Sequence, residues 1–110
     1  MATIVVLFNL KSGASIADYE AWAITKDIPT VKSLGSVADF RVLKMGNLLG
    51  TENPSPYQYC ELIEVKNMDN FFADLGNEAV QAGAKAFAEF AENPLFIVAA
   101  PLNPPEGGRF

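Results

Sequence analysis

Two segments limit the folds open to this chain. ATIVVLFNL, Ala2 to Leu10, and LFIVAA, Leu95 to Ala100, are apolar at nearly every position. A strand with one wet face alternates polar and apolar residues; these two do not, so each reads as a strand covered on both faces. The sequence between them offers two helical regions and two further strands, too few helices to cover both faces of a sheet.

The helical regions have recognisable ends. Ser15, with Asp18 three residues on, reads as a capping start for a helix carrying Ile16, Tyr19 and Ala23, with Trp22 beside them. KDIPTV, Lys26 to Val31, should break it: proline disfavours helical backbone at the preceding residue, and it suits a first helical turn. Asp27 is therefore expected to cap a second short helix with Ile28, Val31 and Leu34 inward, ending at Gly35. Later, Met68, Phe71, Phe72 and Leu75 have helical spacing up to Gly76. Asn77 is positioned to cap a longer helix with Val80, Ala84, Phe87 and Ala91 inward, ended by Asn93-Pro94.

Val37 to Lys44 and Tyr57 to Val65 read as the middle strands, separated by a Gly- and Pro-containing loop. The order β-α-β-β-α-β is the ferredoxin-like split arrangement, an α+β fold with a four-stranded antiparallel sheet and helices on one face. The whole of 1–110 is expected to be one domain, with 101–110 an extended tail. The uncovered sheet face calls for a second copy, which would make a homodimer in the form of a dimeric α+β barrel.

Composition narrows the function. No histidine occurs, which removes histidine general bases, catalytic triads, histidine-ligated haem and the commonest zinc sites. The formal net charge is -5, and the basic residues form no stripe, so nucleic acid and anionic membranes are not expected partners. The single cysteine, Cys60, excludes an internal disulfide and suits a cytoplasmic protein. The MATIVVLFNLK start has neither the basic region nor the cleavage site of a signal peptide. Its apolar run is also shorter than the roughly 20 residues that span a bilayer. No GxGxxG or P-loop pattern and no metal-ligand spacing is present, so no cofactor and no metal are expected.

Strand alternation sorts the candidate site. Phe40 and Val42 share one face of the second strand, with Asp39, Arg41 and Leu43 on the other. In the third strand Cys60 and Leu62 are assigned to the helices. Tyr57, Tyr59, Glu61 and Ile63 then face the barrel, as do Val5, Leu7 and Asn9. A hairpin register placing Phe40 beside Leu62 places Arg41 beside Glu61. The result is an apolar cavity with convergent polar groups, Asn9, Arg41, Tyr59 and Glu61. Burial would raise the Glu61 pKa and Arg41 would lower it; if burial prevails, Glu61 can act as acid or base near neutral pH. Plainer readings stand beside these: a surface ion pair for Arg41 and Glu61, packing for Tyr59, Tyr19 and Trp22, an inert buried thiol for Cys60, and a cap for Asp27. A one-residue slip would reverse every face.

The combination of a DYEAW helix, an Asp-x-Pro-Thr-Val corner, a SVADFRV strand and an E-x-I-E-V strand resembles the RedY-like/HapK family of dimeric α+β barrel proteins, over nearly the whole chain. The resemblance implies a dimeric barrel and a link to prodiginine pigment pathways in secondary metabolism, where the namesakes handle a bipyrrole aldehyde. Many members of the wider superfamily carry a histidine at the corner where this chain has Asp27, so histidine-dependent chemistry does not carry over. The reading that follows is a homodimer binding a small, flat, apolar or aromatic ligand. Glu61 would transfer protons, Arg41 would be its electrostatic partner, Asn9 and Tyr59 would position the ligand, and Trp22 and Asp27 would line the site. The alternatives are a non-catalytic accessory protein and a cofactor-free monooxygenase.

Overall fold

The structure is a computed structural model and describes residues 2 to 103; most of the expected C-terminal tail, from 104 onward, lies outside the described residues. The elements run β1 (Ala2–Leu10), α1 (Ile16–Trp22), a π-helical turn (Ala23–Asp27), α2 (Ile28–Lys32), β2 (Val37–Lys44), β3 (Tyr59–Val65), α3 (Met68–Asp74), α4 (Glu78–Phe90) and β4 (Ala91–Ala99). The four strands form one antiparallel sheet in the order β2-β3-β1-β4.

Side-chain caps set three helix starts. Ser15 Oγ accepts from the Asp18 N–H at 3.1 Å, Asn67 Oδ1 from Asn70 at 2.9 Å, and Asn77 Oδ1 from Ala79 at 2.7 Å. Each satisfies a backbone donor that the first helical turn leaves without a partner.

The KDIPTV corner differs from expectation. Asp27 makes no cap and has helical dihedrals, φ -67° and ψ -54°. The helix continues through the corner by widening: the Ile28 N–H bonds the carbonyl of Ala23, five residues back. Pro29 explains this. It has no N–H to offer the carbonyl four residues earlier, and its ring crowds that carbonyl in a regular α-helix. One π turn relieves the crowding and leaves the Asp27 side chain free of backbone duty.

Alternation on β1 is strict. Ile4, Val6, Phe8 and Leu10 are buried under the helices, while Val5, Leu7 and Asn9 occupy the other face half-buried. Phe8 anchors the core: its ring stacks on Tyr59 at 5.5 Å and meets Tyr19 and Phe87 edge-on at 5.6 and 4.8 Å. Such aromatic contacts add about 0.5–1.5 kcal/mol each beyond the area they bury. The opposite face of the sheet carries Val5, Leu7, Leu62, Leu95 and Ile97, with Leu95 46% and Ile97 44% exposed. β4 begins at Ala91, directly after α4, and Asn93 takes a positive φ of 45° there.

Register corrects the face assignment of β3. Phe40 stands opposite Ile63, Arg41 opposite Leu62, and Val42 opposite Glu61. On the other side Val6 stands opposite Glu61 and Phe8 opposite Tyr59. Directly paired residues share a face. Tyr59, Glu61 and Ile63 therefore point at the helices, and Cys60 and Leu62 at the open face, the reverse of the sequence expectation. Glu61 is the one charged residue on that face of β3. The large apolar residues Tyr59, Ile63 and Val65 outweigh it.

Candidate functional site between the helices and the sheet

The β3 register puts Glu61 in the core. Its residue is 6% exposed, between Val6 and Val42 on the neighbouring strands. Its Oε2 is buried with no hydrogen-bond partner. The hydroxyl of Tyr19, a fully buried residue of α1, is likewise without a partner. Nearly all buried polar groups in folded proteins are hydrogen-bonded, so two such groups in one core mark a place to examine.

The π turn brings the third member. Asp27 lies close enough to Glu61 for its charge to raise the Glu61 pKa, after burial, the larger cause; together they push it up to about 8. Burial pushes Asp27 itself up to about 6. The Tyr19 hydroxyl is held far above its ordinary range, first by burial and then by the charges of Glu61 and Asp27. Among the described residues no ion pair joins either carboxyl to a lysine or arginine. Burial thus favours the neutral form of both carboxyls, and the charge of Asp27 adds to it at Glu61. Two carboxyls whose surroundings separate their pKa values are the usual arrangement of an acid and a base sharing one site.

Space adjoins Asp27 on one side and Tyr19 on another, while Glu61 lies behind both and lines neither cavity. A cavity of about 260 Å³ opens between the π turn and α4, lined by Trp22, Asp27, Thr30, Val31, Val80 and Gly83 among others. A second, of about 130 Å³, is lined by Tyr19, Ala23, Ile28, Val42 and Tyr59. At its rim Tyr59 donates to Glu20 at 2.6 Å, and Lys44 pairs with the same carboxylate at 2.8 Å. The Lys44 bond, then the Tyr59 bond, hold the Glu20 carboxyl below its usual range. Trp22 packs on Phe90 at 5.7 Å and is tilted against Tyr19 at 6.1 Å, so its ring is both core and cavity wall.

The expected site residues thus separate. Glu61, Asp27, Trp22 and Tyr59 lie on the helix side, with Tyr19 among them. Arg41 is on the opposite face, exposed, 3.9 Å from Asp39, and is not the partner of Glu61. Asn9 is engaged elsewhere: its Nδ2 donates to the Pro56 carbonyl at 3.1 Å and its Oδ1 accepts from the Gln58 N–H at 2.9 Å, fastening the β2–β3 loop. Cys60 is buried but on the open face, its thiol pushed up by burial and then by Glu61. Among the described residues no group of three or more His, Cys, Asp or Glu is placed to hold a metal ion. No helix of the described residues is long and apolar enough to cross a membrane.

The model of the REDY-like protein HapK matches residues 2–102. The chain belongs to the HapK family of REDY-like proteins. The solved structure of HapK from Hahella chejuensis is similar over 94% of both chains, with 26% identity and a TM-score of 0.72. A dimeric protein of ferredoxin-like fold from Bacteroides fragilis is 16% identical over 91% of this chain and 95% of its own, with a TM-score of 0.64. SnoaB, a cofactor-independent oxygenase from Streptomyces nogalater, is 12% identical over 94% and 95%, with a TM-score of 0.71. The last two likenesses concern the fold alone. No curated protein matches the chain.

Proposed function

We propose that this HapK-family chain binds a small, flat, largely apolar molecule between its helices and its sheet. It would move a proton on that molecule without a cofactor, using Asp27 as base and Glu61 as acid. The observation that carries the reading is the buried Glu61 carboxyl, without a hydrogen-bond partner at Oε2 and beside the second carboxyl that the π turn delivers. Asp27 takes a proton from a carbon or nitrogen of the ligand while Glu61 gives one to an oxygen or to the far end of the conjugated system. The products are the tautomer, a neutral Asp27 and an ionised Glu61, and exchange with water restores the pair. Trp22 supplies a flat apolar wall to the cavity that Asp27 lines, and the Tyr59 ring one to the smaller cavity. The resemblance to prodiginine-pathway proteins supports a place in secondary metabolism, and the single unpaired cysteine supports a cytoplasmic one.

The same reading makes the protein a homodimer through the open sheet face. Exposed Leu95, Ile97 and Leu43 on that face support it, as does the dimeric state named for the Bacteroides fragilis relative.

The test starts from the molecule that copurifies with the protein, identified by mass spectrometry and returned to ligand-free protein in deuterated water. Wild type should wash deuterium into the ligand, and Glu61→Gln should slow this by about 100-fold or more, the usual contribution of a positioned acid or base. Binding without any exchange would make the protein an accessory carrier; oxygen uptake in its place would favour the oxygenase reading.

A further inference from the structure

Among the described residues, Gly83 is the only glycine inside a helix or strand. It stands in the interior of α4, where glycine is the least favourable residue after proline. Two needs commonly keep a glycine in such a place, and neither applies. Its backbone does not take the positive φ of Gly13 or Gly50. Nor does another element press against it. A Cβ built at Gly83 meets nothing within 4 Å, whereas one at Gly76 meets the Ala73 carbonyl oxygen at 3.4 Å. What the missing side chain leaves is open space, and Gly83 lines the larger cavity.

That cavity has two unlike walls. Its polar side chains, Lys26, Asp27 and Thr30, all come from the π turn and α2. Helix α4 presents only apolar surface there, from Val80, two alanines and Gly83, and Trp22 adds its ring. A flat molecule satisfies both walls by turning a polar edge to the corner and an apolar edge to α4. How far the apolar edge can extend is set by the side chains that α4 places opposite it, and at Gly83 there is none. We infer that Gly83 is the specificity-determining residue of this cavity. It keeps a notch in α4 for an apolar substituent, carried on the ligand edge remote from Lys26 and Asp27. The inference rests on the cavity reading above and adds the shape of the molecule it takes.

The probes are phenol, para-ethylphenol and para-butylphenol, flat molecules with one polar end and an apolar end of increasing length. All are neutral at pH 7, which keeps the charges of Lys26 and Asp27 out of the comparison. They are titrated into the whole protein by calorimetry and by the fluorescence of Trp22, the chain's single tryptophan and a wall of the cavity. In wild type, affinity should rise about fourfold for each added methylene, the ratio expected when a CH2 group is buried. Gly83→Leu should abolish that rise, and Gly83→Ala should weaken para-butylphenol by about fourfold, one methylene's worth of space. Both variants should melt no lower than wild type, because leucine and alanine are better helix formers and the space they enter is open. The same rise in Gly83→Leu, or a wild-type affinity indifferent to chain length while Trp22 responds, would overturn the inference and leave the cavity reading standing. A wild type in which neither heat nor Trp22 fluorescence registers any of the three would overturn the cavity reading and this inference with it. Should Gly83→Leu not fold, Gly83→Ala decides: an undiminished affinity for para-butylphenol overturns the inference.

Discussion

Arg41 and Glu61 occupy opposite faces of the sheet, Arg41 across from Leu62 and Glu61 across from Val42. Arg41→Ala should therefore leave ligand binding and deuterium exchange unchanged. Its effect on the stability of the subunit should be within about 0.5 kcal/mol, because its ion pair with Asp39 is long and exposed. Glu61→Gln should change both binding and exchange. Parallel isothermal titrations of the two variants check the point; equal losses would place the two side chains in one site.

Glu61 makes the fold pH-sensitive. Its carboxyl is raised by burial, then by Asp27, to about 8, while in the unfolded chain it returns to about 4.3. Between these values the folded state holds the extra proton. The stability it confers is complete below the unfolded pKa and is lost as pH rises through 8, by at most about 1.4 kcal/mol per pH unit. Thermal melts of wild type should fall from pH 5 to pH 8.5. Those of Glu61→Gln should be flatter and end above wild type at pH 8.5. A wild-type melting temperature that climbs over this range would contradict the burial argument.

Asp27→Asn separates the corner's two readings. With no cap bond to lose, the variant should melt within about 0.5 kcal/mol of wild type at pH 4, where Asp27 is protonated. Above pH 6 it should be the more stable, since Asp27 is raised by burial to about 6 and its ionisation costs the fold. Deuterium exchange into the ligand should drop nonetheless. A uniform loss of stability at every pH, of the ~1 kcal/mol that a cap contributes, would restore the cap reading.

Ile97→Asp probes the open face. Ile97 pairs with Val5 and is 44% exposed in the single subunit, so the subunit should keep its fold, judged by circular dichroism. A charge at the centre of an apolar dimer interface should abolish pairing at micromolar concentration. Sedimentation of wild type as a dimer and of the variant as a folded monomer is expected; an unaltered dimer would move the interface elsewhere.

The order of elements was legible because each signal was local: Ser15 and Asn77 at helix starts, and the continuous apolar runs Ala2 to Leu10 and Leu95 to Ala100. The site was half legible. Glu61, Asp27, Trp22 and Tyr59 stood out as residue types, but their grouping depended on a register that one strand's alternation leaves open. The rule that the purely apolar face meets the helices failed at Glu61 itself, where a polar group is kept in the core against packing preference. Nor did the sequence announce the π turn, since Pro29 is compatible both with a break and with a widened helix. Tyr19 reads from the sequence chiefly as packing, because its unpartnered hydroxyl is a property of the folded core.

The most direct measurement is a carbon-13 NMR titration of the Glu61 and Asp27 side-chain carboxyls, assigned through Glu61→Gln and Asp27→Asn. The account predicts two separated midpoints, near 8 for Glu61 and near 6 for Asp27, with Glu61 protonated at pH 7. Both carboxyls titrating together in the ordinary range near 4 would contradict it.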